Sequence, residues 1–225
     1  VGDLRRLVAF DLDGTLVDSR RDLAQSANQL IVALGGEALP EASIGRMVGE
    51  GAGVLIARAF AAAQVTAPPD ALVRFLEIYD QRLLNHTTIY DGMCEVVGRA
   101  RERARVAVLT NKPRRHAERL LSALGIRDMF DAVVAGDGPY PRKPDPAGLL
   151  ALMAESGVQP GGTLLVGDST IDHETARRAS ARCCLAAYGF GYEMFPPERL
   201  DGDEWIAADP GELLAIVDRF TATAD

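Results

Sequence analysis

Leu7-Val8-Ala9-Phe10 followed by Asp11-Leu12-Asp13-Gly14 decides how the rest of this chain reads. Four apolar residues halted abruptly by acid and glycine predict a short buried strand that ends in a polar loop. The pattern recurs downstream. Val106-Ala107-Val108-Leu109 stops at Thr110-Asn111, and Ala132-Val133-Val134-Ala135 stops at Gly136-Asp137. Thr163-Leu164-Leu165-Val166 stops at Gly167-Asp168, and Cys183-Cys184-Leu185-Ala186-Ala187 stops at Tyr188-Gly189. Helical patterns separate them: Cys94 to Ala104, Arg114 to Leu124 with Gly125 as the stop, Pro146 to Ser156, and Ile171 to Ala179. Strands alternating with helices of this length predict βαβ units, hence an α/β fold whose parallel sheet is covered by helices on both faces.

One stretch breaks the alternation. From Arg20 to about Asn85 only helical periodicity is present. Leu23, Ala27, Leu30, Ile31 and Leu34 share a face, closed by Gly35-Gly36; Val54 to Ala63 and Ala71 to Leu84 give two more helices. An insertion of about 65 residues far exceeds an ordinary connection. It follows a polar strand end, so it sits above the carboxyl edge of the sheet, where open α/β folds bind ligands. The expected organisation is a core of residues 1–18 and 88–225 with a helical cap of 19–87 placed as a lid.

The 225 residues are 48% hydrophobic and 25% charged, with net charge −8, the balance of a globular protein. An acidic chain lacks the basic stripe that nucleic acid requires, and the four Arg between Arg99 and Arg105 read as a solvated helix face. No apolar run reaches the ~20 residues of a membrane span. Neighbouring Cys183 and Cys184 would point to opposite faces of a strand, so the cysteines read as reduced and the protein as cytoplasmic.

In a parallel sheet the polar strand ends meet at one edge. Collected there are Asp11 and Asp13, Thr110 and Asn111, Lys143, and Asp168, Ser169 and Asp172. Carboxylates gathered so closely repel unless a cation neutralises them. A hard, oxygen-ligated site that keeps waters and substrate phosphate is the signature of Mg2+. Lys143 and the Thr110 hydroxyl would complete a cradle for phosphoryl oxygens.

These residues form four ordered motifs. Asp11-Leu12-Asp13-Gly14-Thr15-Leu16-Val17-Asp18-Ser19, Thr110-Asn111-Lys112-Pro113, Lys143-Pro144-Asp145-Pro146 and Gly167-Asp168-Ser169-Thr170-Ile171-Asp172 resemble the signatures of the haloacid dehalogenase superfamily. The resemblance spans essentially the whole chain and implies a Rossmann-like core with an inserted C1 cap. It also implies the roles. Asp11 is the nucleophile that becomes an aspartyl phosphate, and Asp13 is the acid and base for leaving group and water. Mg2+ is held by Asp11, Asp168 and the Asp13 carbonyl, with Asp172 bound directly or supporting from behind. Thr110 and Asn111 bond the phosphoryl group, and Lys143 offsets its charge. The acid at position 13 favours phosphoryl transfer over dehalogenation, because the dehalogenases lack it.

Met47-Val48-Gly49-Glu50-Gly51-Ala52-Gly53 in the cap is similar to a segment of phosphoglycolate phosphatases. Gly49 and Gly51 would let backbone approach a substrate, and the helix start beyond them would point N–H groups at an anion, with Arg46 and Arg58 as counter-charges. The spacing does not fit a dinucleotide fingerprint, since no strand precedes it. The expected activity is hydrolysis of 2-phosphoglycolate or a similar phosphorylated acid or sugar. The alternatives are a β-phosphoglucomutase-like phosphotransferase, or a pyrophosphatase or nucleotidase of the same superfamily. His86 and His116 fall on helical patterns and are expected at the surface; His173, inside the fourth motif, is a lesser candidate for substrate contact.

Overall fold

β1 (Leu7–Phe10) occupies the middle of the sheet. The computed structural model describes residues 6–222. After β1 come β2 (Val17–Asp18), then α1 (Arg20–Ala33), α2 (Glu41–Gly45), α3 (Ala52–Ala62) and α4 (Ala71–Arg82). The chain returns through β3 (Thr88–Ile89) to α5 (Met93–Arg101), β4 (Arg105–Leu109), α6 (Arg114–Ala123) and β5 (Ala132–Val134). It continues with α7 (Ala147–Ser156), β6 (Thr163–Gly167), α8 (Thr170–Arg178), β7 (Arg182–Ala186), β8 (Trp205–Ala207) and α9 (Pro210–Ala222).

The main sheet runs β5-β4-β1-β6-β7-β8, with every neighbouring pair parallel. Its chain path moves outward from β1 to β5, then crosses back to β6, which creates a switch point beside β1 where open sheets bind ligands. Register fixes what meets there. Phe10 pairs with both Val108 and Val166. Asp11, Thr110 and Asp168 therefore leave the sheet at the same edge.

Period-two alternation sorts the strand side chains between two cores. Val8, Phe10, Val106, Val108, Leu164, Val166 and Cys184 face one core, formed with α5, α6 and α9. Leu7, Ala9, Ala107, Leu109, Leu165 and Cys183 face the other, under α7 and α8. The adjacent cysteines are on opposite faces, and Cys94, Cys183 and Cys184 are free thiols.

The inserted helices α1 to α4 join the first of these cores through Leu23, Leu55, Phe60, Phe75 and Tyr79. Entry and exit of the insertion lie side by side, because β2 and β3 pair antiparallel, Asp18 opposite Thr88. Asp22 fastens the crossing. Its Oδ2 accepts the main-chain N–H of His86 (2.9 Å) and of Thr87 (2.8 Å) and the Thr87 hydroxyl (2.8 Å). Among the described residues no helix is long and apolar enough to cross a membrane.

Candidate active site

Asp11 follows β1 directly, its N–H held by the Val166 carbonyl at 2.8 Å, so its side chain is fixed by the strand itself. It is 6% exposed. Lys143 Nζ lies 2.9 Å from Asp11 Oδ1 and 2.5 Å from Asp172 Oδ1, equally buried. Burial pushes the Asp11 carboxyl up to about 6, against the pull of Lys143 and with the help of Asp172's charge. Asp168 is raised well above the carboxylate range, by burial first and then by Asp11 and Asp172. Burial lowers Lys143, but Asp11 and Asp172 more than reverse this, leaving it firmly protonated.

Oxygens of Asp11, Asp168 and Asp172 all lie within 4.8 Å of one another. One lysine does not neutralise three buried carboxylates, and the missing positive charge is what a divalent cation supplies. The donor set, oxygen only, fits Mg2+. Asp168 is built for a single position. Its Oδ2 accepts the Gly191 N–H at 2.8 Å, and a Cβ on Gly14 or Gly189 would lie 1.9 or 2.6 Å from that oxygen. Asp172 is differently placed. Lys143 holds Oδ1, while Oδ2 accepts the Ser169 hydroxyl at 2.6 Å and the Ser169 N–H at 3.2 Å in a capping box that starts α8. With both oxygens so engaged, Asp172 suits support of the cluster from behind.

Asp13 sits apart from this group. It accepts the Ser19 hydroxyl at 2.5 Å, and Lys112 Nζ donates to its two oxygens at 2.9 and 3.1 Å. Thr110 is 3% exposed, and its oxygen accepts the Lys112 N–H at 3.2 Å, which leaves the hydroxyl hydrogen to donate elsewhere.

The Asn111 side chain is engaged by main chain. Its amide donates to Gly49 O (2.8 Å) and Lys143 O (2.9 Å), and its Oδ1 accepts the Lys143 N–H (2.9 Å). Both side-chain amide hydrogens are occupied, so the side chain braces the Lys143 backbone and touches the inserted segment at Gly49, and only the Asn111 main-chain N–H is left to face a phosphoryl oxygen. The counter-charges proposed for the cap also fall elsewhere. Arg58 pairs with Glu50 and Arg46 donates to Ser43, both at the surface, because their positions on the helices turn them outward. His173 is buried against Glu204, 2.5 Å away, and lines grooves other than the one at Asp11.

Between lid and sheet edge is a cavity of about 40 Å³ reached by Asp11, Asp13, Thr110 and Asn111 from the core and by Gly49, Gly51, Leu55, Phe75 and Tyr79 from the lid. Gly49 and Gly51 have φ of 123° and 93°, which only glycine adopts without strain, and they set the first turn of α3 at the cavity wall. His116 is also here, against expectation. It is buried because α4 covers that face of α6 and stacks Tyr79 on the imidazole, ring centres 5.6 Å apart. Lys112, next to Asn111 in the second motif and without an expected role, is 5% exposed beside it. A lysine in a motif otherwise ending in proline carries no mark of burial; only the return of the cap shows it.

A buried carboxylate cluster with a lysine at the carboxyl edge of a parallel sheet is an arrangement suited to a cation and a phosphate ester. The family model of haloacid dehalogenase-like hydrolases matches residues 8–186, and the chain belongs to that family. A phosphoglycolate phosphatase of Rhodospirillum rubrum is 42% identical over 197 residues, covering 84% of this chain and 82% of the relative. One from Haemophilus influenzae is 34% identical over 221 residues, covering 94% and 98%. A crystal structure of a predicted phosphoglycolate phosphatase from Haemophilus somnus superposes with a TM-score of 0.87 at 30% identity, covering 94% of this chain and 97% of that one. The chain is thus a phosphatase of this family acting on a small phosphorylated substrate.

Proposed function

We propose that this phosphatase hydrolyses 2-phosphoglycolate or a closely similar short phosphorylated acid, with Mg2+, through an aspartyl phosphate on Asp11. The observation that carries the substrate class is the size of the space beyond the carboxylates. About 40 Å³ is well under the ~150 Å³ that holds a benzene, so a two-carbon leaving end asks for the least widening and a sugar ring for much more. The relatives' names agree with this reading.

In this mechanism an Asp11 oxygen attacks phosphorus in line as the bond to the leaving oxygen breaks. Asp13 gives that oxygen its proton, then takes one from the water that cleaves the acyl phosphate. Lys143 balances the nucleophile's charge, and the Thr110 hydroxyl donates to a phosphoryl oxygen. Asp11, Asp168 and the Asp13 carbonyl would hold Mg2+, with Asp172 behind them; bound there, the ion offsets charge on the phosphoryl oxygens. The helical unit of residues 19–87 acts as the lid of a core formed by 1–18 and 88–225.

A kinetic panel tests this, comparing 2-phosphoglycolate with sugar phosphates, nucleotides and pyrophosphate, with and without EDTA. The expected result is the highest kcat/KM for 2-phosphoglycolate, full loss with EDTA, and loss of at least about a thousandfold in Asp11→Asn. Higher kcat/KM on sugar phosphates would defeat the substrate assignment. An isomerised sugar phosphate without phosphate release would identify a mutase.

A further inference from the structure

Three polar groups on the cavity wall have no contact with the phosphoryl group in this mechanism: Tyr79, His116 and Lys112, which acts there only as the partner of Asp13. The Lys112 ammonium donates to Asp13 and, at 2.7 Å, to the Tyr79 oxygen. Tyr79 comes from α4 of the lid and is 2% exposed. Its oxygen accepts from Lys112, but its own hydrogen finds no acceptor among the described residues. His116 is 5% exposed, lies near the Leu76 backbone and 3.7 Å from an Asp80 carboxylate oxygen, and stacks on the Tyr79 ring. A buried donor left unpaired is costly, so the Tyr79 hydrogen at this cavity calls for an acceptor that arrives with the ligand.

The chemistry of that acceptor follows from the donors. Lys112 spends its three hydrogens on Asp13 and on the Tyr79 oxygen, so the phenol, with its oxygen occupied, has its hydrogen to offer. The first turn of α3 presents backbone N–H groups through Gly51 and Ala52 on the same wall. Asp13 is already engaged by Lys112 and Ser19. A sugar hydroxyl brings hydrogens that would need acceptors here, whereas a carboxylate is acceptor only and takes what this wall offers. Leu23, Val48, Leu55 and Phe75 close the remaining sides and leave little length for the ligand.

We propose that the Tyr79 hydroxyl, its oxygen held by Lys112 and its ring stacked on His116, donates to the carboxylate of the leaving end and thereby sets the preference for short acids. This rests on the phosphatase reading. The lid contributes Tyr79 and the core contributes Lys112, so the subsite is complete only when the two are together.

The test compares 2-phosphoglycolate with ethyl phosphate, whose leaving end has the same two carbons and no carboxylate. In the wild type 2-phosphoglycolate has the higher kcat/KM. Tyr79→Phe, which keeps the ring packing, is expected to shrink the ratio between the two esters by about tenfold, acting mainly through KM for the acid. His116→Gln is expected to shrink it less. Lys112→Met also removes the partner of Asp13, so it is expected to lower kcat for both esters in addition to the ratio. Glycolate as a product inhibitor should weaken in Tyr79→Phe in step with KM. A ratio and a glycolate inhibition constant that stay at wild-type values in Tyr79→Phe would overturn the subsite while leaving the phosphatase standing. If the wild type releases no phosphate from either ester, it is the phosphatase reading that fails.

Discussion

Lys143 stands between two buried carboxylates, and its removal therefore does more than delete a positive charge from the active site. Lys143→Met would strand Asp11 and Asp172 without their shared counter-ion. Breaking a buried pair on one side costs about 3–5 kcal/mol. Urea unfolding of the Mg2+-free variant should show that loss, and kcat should fall at least a hundredfold. Asp11, Asp13, Thr110, Lys143, Asp168 and Asp172 were legible because strand ends carry polar residues for few reasons other than chemistry. The partners of Asn111 were not legible. A carboxamide gives the same letter whether it faces a phosphate or two main-chain carbonyls, and only the approach of Gly49 from 62 residues away decides it.

Among the elements, the crossing of β2 and β3 and the first turn of α3 are the two places where a small change reaches far. Asp22 satisfies three donors on residues 86 and 87 with one oxygen. Asp22→Ala leaves them unpaired in a buried setting, at a cost of about 2–4 kcal/mol, measurable as a lower Tm. Gly51→Ala forces a φ of 93° on a residue with a side chain and puts its Cβ 3.3 Å from the Asn111 carbonyl oxygen and from Arg142 Nη1. We expect a loss of about 1–2 kcal/mol and a rise in KM for 2-phosphoglycolate, because α3 would retreat from the cavity. Three of the four inserted helices, α1, α3 and α4, and the Gly35-Gly36 stop could be read from periodicity, as could the five strands β1, β4, β5, β6 and β7 of the main sheet; α2 has five residues, too few for a period. β2 and β3 have two residues each and could not, since a pair that short has no period. β8 has only Trp205-Ile206-Ala207, and its Trp packs beneath Arg182 and Arg219 at the sheet margin.

For the whole molecule, the carboxylate cluster links stability to pH and metal together. The folded state raises Asp11 from 3.8 to about 6 and raises Asp168 as well. For an acid whose folded pKa is raised, stability from that group is full below its unfolded value and is lost as pH climbs through the folded one. Without Mg2+, the contribution of these two groups should therefore decline from about pH 4 to beyond about pH 6. Mg2+ binds the ionised carboxylates, so the Tm it adds should be larger at pH 7 than at pH 4.5, by several degrees. Differential scanning calorimetry at both pH values, with and without Mg2+, measures this; an equal increment at both would contradict it. Asn111 has a consequence at this scale too. One carboxamide grips the lid at Gly49 and the main chain of Lys143. Losing the Gly49 contact would free one Asn111 N–H and leave both of its bonds to Lys143, so a single carboxamide is the joint through which the inserted helices and the lysine's main chain feel each other.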